Sequence, residues 1–66
     1  MTYRVYIRSH GQAVSHKTVT ASPRAAEAAF RELMLMREFW GRPFSAVLSL
    51  DGRQLEFRRF DRMRPV

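Results

Sequence analysis

Arg4, Tyr6 and Arg8 alternate along one short stretch of this 66-residue chain, and that spacing suits one kind of chemistry. On an extended backbone the three share a face, where an aromatic ring among guanidinium groups can stack a base and hold its phosphates. Lys17 and Arg58 lie on flanking stretches that would add cations to the same face. A solvated strand face, in which amphipathic side chains simply cover the pleat, uses the same residue types.

Covalent and metal chemistry have little to work with. His10 and His16 are the two histidines, there is no cysteine, and no carboxylate stands at ligand spacing from either, so no metal site is expected. Ser9, Ser15, Ser22, Ser45 and Ser49 lack a nucleophile elbow, and Gly11, Gly41 and Gly52 are too scattered to cradle a phosphate. The sequence therefore predicts a non-enzymatic protein with no catalytic residue, no cofactor and no small-molecule substrate.

Charge points the same way as the Arg-Tyr-Arg alternation. Twelve Lys and Arg face six Asp and Glu, a net charge of +6, and such an excess favours DNA or RNA first, an anionic membrane surface, and then an acidic protein partner. Lys17 is the only lysine, however, and arginine together with abundant alanine also follows from genomic base composition. A second basic cluster, Arg53, Arg58, Arg59, Arg62 and Arg64, is interleaved with Phe57, Phe60, Glu56 and Asp61. It could track a phosphate backbone or, as a charged strand end, keep an edge from pairing with another chain.

The elements that must position these residues are short. Residues 2–9 alternate, with Tyr3, Val5 and Ile7 on one side and Arg4, Tyr6 and Arg8 on the other, the period of a half-buried strand. Gly11 supplies a turn, and 13–20 is β-branched enough to return as a partner. A two- or four-residue loop sets Val14, His16 and Thr18 beside Tyr3, Val5 and Ile7; a three-residue loop turns Ser15, Lys17 and Val19 inward. The former is preferred because the slip buries Lys17.

Ser22 and Pro23 then announce a helix, the serine as cap and the proline at a position whose N–H has no partner anyway. Gly41 and Pro43 offer its end, so the spacing predicts a helix over 22–41. Ala26, Ala29, Phe30, Leu33, Met36 and Trp40 would form its core stripe. Leu35 and Phe39, with Ala28, would lie nearly opposite, a candidate protein-interaction or homodimer surface, since apolar groups on a charged face tend to be covered.

Residues 44–50 alternate again, and Asp51-Gly52 is a strong two-residue hairpin signal. Closing the turn there pairs Leu48 with Leu55 and Ala46 with Phe57, and leaves Ser45, Val47, Ser49, Gln54, Glu56 and Arg58 on the opposite face. The order ββαββ gives an α+β fold of two layers, a four-stranded, mainly antiparallel sheet with one helix packed on one face. Residues 1–61 form the domain and 62–66 a short, loose basic tail. A chain this short hides only about 60% of the surface its unfolded form exposes, so tight packing or self-association must supply its stability.

Two segments, Ala21-Ser22-Pro23-Arg24-Ala25-Ala26-Glu27-Ala28-Ala29-Phe30 and Ser45-Ala46-Val47-Leu48-Ser49-Leu50-Asp51-Gly52-Arg53-Gln54-Leu55 with Arg59-Phe60-Asp61, together with Tyr3-Arg4-Val5-Tyr6-Ile7-Arg8, resemble small uncharacterised bacterial proteins associated with plasmids and integrated mobile elements. The resemblance implies a cytoplasmic accessory role on a mobile element and brings no activity or site residue. A cytoplasmic location also fits an opening that lacks a signal-peptide core and a chain without an apolar run of membrane-spanning length.

Overall fold

A computed structural model describes residues 1–9 and 14–63; the turn expected around Gly11 and the last three residues of the expected tail lie outside these. The elements run β1 (Tyr3–Ser9), β2 (Val14–Thr20), α1 (Pro23–Met34), a 3-10 turn (Arg37–Phe39), β3 (Phe44–Leu50), β4 (Arg53–Arg59) and a second 3-10 turn (Phe60–Arg62). The strands form one antiparallel sheet in the order β2-β1-β3-β4. The helix lies against β1, β2 and β3, so the α+β, ββαββ arrangement stands as expected. Val5 and Ile7 of β1, Ala46 and Leu48 of β3, Ala26, Phe30 and Leu33 of α1, and Phe60 make the buried core.

The helix starts where the sequence places it and stops early. Ser22 Oγ accepts from the Ala25 N–H at 3.2 Å, and Pro23 takes the first position. The expected continuation to Gly41 is not observed: the last helical residue is Met34, and Leu35 is the cap. The Trp40 indole N–H donates to the Met34 carbonyl at 3.1 Å and so satisfies one of the orphan acceptors at the helix end. The Arg37 guanidinium in turn sits over the Trp40 ring, 5.3 Å from its centroid. The early stop lets Phe39 fold back onto the core. It stands edge-on to Phe44 (5.0 Å) and His16 (5.3 Å) and tilted against Phe60 (5.8 Å). A straight helix would hold that ring in solvent and forgo a part of the about 1.5–3 kcal/mol that full burial of such a side chain contributes.

Both hairpins carry a bulge, and the bulges decide which side chains share a face. In the first, Val5 opposes Thr18 but Ile7 opposes Ser15, so His16 and Lys17 together face Tyr6. His16 takes the positive φ of 52° that lets the strand bend. The observed register thus joins the two expected alternatives: Thr18 stays beside Val5, whereas Val14 moves opposite Arg8 onto the other face. Lys17 remains on the outer face.

In the second hairpin, Asp51 (φ 48°) and Gly52 (φ 84°) make the two-residue turn, with positive φ at both central positions as a type I′ turn requires. Asp51 also accepts from the Thr2 N–H through Oδ1 (2.8 Å) and donates its own N–H to the Thr2 carbonyl (2.9 Å), which ties the start of β1 to this turn. Beyond it Leu55 is an extra residue: Ser49 opposes Gln54, but Leu48 opposes Glu56, Val47 opposes Phe57 and Ala46 opposes Arg58. The expected Leu48–Leu55 and Ala46–Phe57 pairs are therefore displaced by one, which moves Phe57 to the open face and Glu56 and Arg58 to the helix side.

The reason for the displacement is Phe60. Beyond the bulge the even-numbered positions, Glu56 and Arg58, face the helix side, and Phe60, two beyond Arg58, enters the core at 0% exposure. Without the bulge it would point outward. Arg62 closes the 3-10 turn that follows, and Met63, expected in the tail, packs partly buried on the core.

Candidate nucleic-acid interface

Opposite the helix, the pleat and the observed registers arrange outward side chains in three rows across the sheet. Val19, Arg4, Ser49 and Gln54 form one; Lys17, Tyr6, Val47 and Phe57 the next; Val14, Arg8, Ser45 and Arg59 the third. The middle strand contributes only small side chains. Ser45, Val47 and Ser49 are 1%, 2% and 8% exposed although no helix covers them. The long side chains of β1 and β4 on either side enclose them, so the face has a floor and two walls. On the β2 side, Arg4, Tyr6, Arg8, Val14 and Lys17 line a shallow depression of about 400 Å³.

The rows also sort the charges. They hold four cations, Arg4, Arg8, Lys17 and Arg59, and no carboxylate among the described residues. Glu27 and Glu32 are on α1, Glu38 is in the first 3-10 turn, and Glu56 faces the helix side. Asp51 is held in its turn by Thr2. Asp61 alone approaches this face, accepting from Arg59 Nε at 3.1 Å and Nη2 at 2.7 Å.

The chain matches no known protein family, no curated protein and no solved structure. The site is therefore read from its own residues.

Of the residues expected on this face, Arg4, Tyr6, Arg8 and Lys17 are brought together and Arg58 is not. Arg58 instead borders a groove between α1 and β4 with Glu27, Arg31, Phe30, Met34, Leu48 and Glu56, because the Leu55 bulge turns it over. The expected pairing of Leu35 with Phe39 on an outer helix face is also taken apart. Leu35, at the helix cap, is 74% exposed, whereas Phe39 is half-buried in the aromatic cluster.

Phe57 and Arg59 are the residues that sequence reasoning did not place here. Their signal was the parity of β4: burying Phe60 turns Phe57 and Arg59 the other way. Among the described residues there is no group of three or more His, Cys, Asp or Glu able to hold a metal ion. Among the same residues no helix is long and apolar enough to cross a membrane.

Proposed function

We propose that this protein is a small non-enzymatic module that binds nucleic acid through the open face of its sheet. The observation that carries the reading is the charge sorting: four cations and two aromatic rings share a face whose three rows hold no carboxylate among the described residues, Asp61 reaching it only through its pair with Arg59. Cations on such a face neutralise phosphates and release counterions, while the rings offer bases a stacking surface that is tolerant of sequence. An accessory role in the cytoplasm on a mobile element, the setting the resemblance implies, belongs to the same proposal.

Titration of the protein with labelled single- and double-stranded DNA and RNA at low and moderate salt tests it. Binding that weakens as salt rises is expected, and the absence of binding to every polyanion at low salt overturns the reading.

Self-association, or docking of an acidic protein, through the outer helix face is the second reading. The exposure of Leu35 supports it; the burial of Phe39 removes the other half of that surface. It predicts a dimer by sedimentation that Leu35→Asp converts to monomer. A monomer before and after the substitution refutes the dimer.

A further inference from the structure

β1 and β4 carry the same short pattern, an aromatic residue followed two positions later by arginine: Tyr6-Ile7-Arg8 and Phe57-Arg58-Arg59. Each is antiparallel to β3, so the two run parallel to one another. Their registers against β3 also coincide, Val47 lying between Tyr6 and Phe57 and Ser45 between Arg8 and Arg59. The two ring-and-guanidinium pairs are thus related by a translation across the sheet of two strand spacings, about 9.5 Å. Among the described residues Tyr6 and Phe57 make no ring contact with each other, and the nearly buried Val47 between them forms a low floor.

We infer that the ligand is a single polynucleotide strand crossing the sheet from β1 to β4, with one base on Tyr6, another on Phe57, and its phosphates along the Arg8–Arg59 row. This rests on the nucleic-acid reading above and narrows it. A translational repeat of one ring and one cation suits a chain whose own repeat is one base and one phosphate. A duplex keeps its bases paired and stacked inside, offers phosphates, sugars and groove edges but no free base face to such a surface, and so gains no stacking from the rings. Arg4 and Lys17 add charge around the Tyr6 position and do not set the repeat. Both rings are accessible, Tyr6 half-buried and Phe57 38% exposed, so either can be truncated with little loss of core.

The test is fluorescence anisotropy with a labelled oligothymidine, a labelled oligouridine and a labelled DNA duplex of equal length, on the wild-type chain and on Tyr6→Ala, Phe57→Ala, Tyr6→Phe and Arg24→Ala. Circular dichroism confirms that each variant is folded. Single strands of either sugar bind more tightly than duplex. Each alanine substitution weakens single-strand binding by roughly tenfold or more and leaves duplex binding within about twofold, because a stacked base contributes that much through its ring. Tyr6→Phe keeps the ring and the affinity, and Arg24→Ala, on the exposed helix, changes neither. Equal binding of duplex and single strand, unmoved by either alanine variant, overturns the two-ring track while leaving diffuse polyanion binding in place. No binding of any strand at low salt overturns both.

Discussion

Removing Arg8 should lower the salt sensitivity of single-strand binding by an amount fixed by the number of cations on the open face. Arg4, Arg8, Lys17 and Arg59 stand there. If each neutralises a phosphate, the logarithm of affinity falls with the logarithm of salt concentration at a slope of about −2.8, and affinity drops about 50-fold between about 50 mM and about 200 mM salt. Arg8→Ala removes one contact, which predicts a slope of about −2.1 and a drop of about 20-fold over the same interval. Arg59 begins in an ion pair with Asp61, its side chain 42% exposed; a pair so exposed is weak enough for a phosphate to replace. The assay is a set of anisotropy titrations at four or more salt concentrations, with Arg24→Ala as the cation on the opposite side of the molecule. An unchanged slope in Arg8→Ala, or an equal change in Arg24→Ala, refutes the assignment of phosphates to this face.

Other substitutions test the registers and the core. Arg58→Ala should leave single-strand affinity within about twofold, since its guanidinium borders the groove under α1 and one cation on the far side of the sheet is largely screened at physiological salt; a loss like that of Arg8→Ala would show that β4 lacks its bulge. Asp61→Asn releases Arg59 and should strengthen single-strand binding roughly twofold to fivefold, read in the same titrations, whereas weaker binding would remove Arg59 from the phosphate row. Phe60→Ala should cost about 3–5 kcal/mol in urea unfolding, a large share of the roughly 3–10 kcal/mol available to a chain of this length; a loss below about 1 kcal/mol would mean that the side chain is not the core plug described. Gly52→Ala should cost about 1–2 kcal/mol through its φ of +84° alone, because a Cβ there meets nothing within 4 Å; an unchanged melting temperature would contradict the type I′ turn.

Local signals read well in this chain because local chemistry fixed them. Ser22-Pro23 dictates a helix start by satisfying one orphan donor and having none to offer at the next position, and Asp51-Gly52 tolerates the positive φ values that few other dipeptides do. The alternation of β1 and β3 follows from a core on one side only. What failed was decided at a distance. The helix end looked like Gly41 because glycine there is left-handed, which it is (φ 80°), yet its N–H donates to the Phe60 carbonyl at 2.8 Å and serves the loop and not the helix. Met34 ends the helix because Phe39 and Trp40 gain more from the core and from the helix end than from continuing. The open face was half legible: Arg4, Tyr6 and Arg8 follow from strand period alone. Phe57, Arg59 and the departure of Arg58 depend on a single extra residue, Leu55, whose position follows from the burial of Phe60 beyond the strand.

The central ladder of the sheet joins the first strand to the third, with Tyr3 against Leu50 and Ser9 against Phe44. Everything between them, the second strand, the helix and the first 3-10 turn, must be looped out before those hydrogen bonds can form. Closing such a loop costs chain entropy ahead of any reward, so the nascent chain cannot zip up its middle until the third strand has been made. Refolding should accordingly be slower than in a helical bundle of equal length, in the range of mixed α/β domains. Until that closure occurs, the first hairpin stands without its central neighbour, and its exposed strand edge is the segment most open to pairing with another copy of the chain.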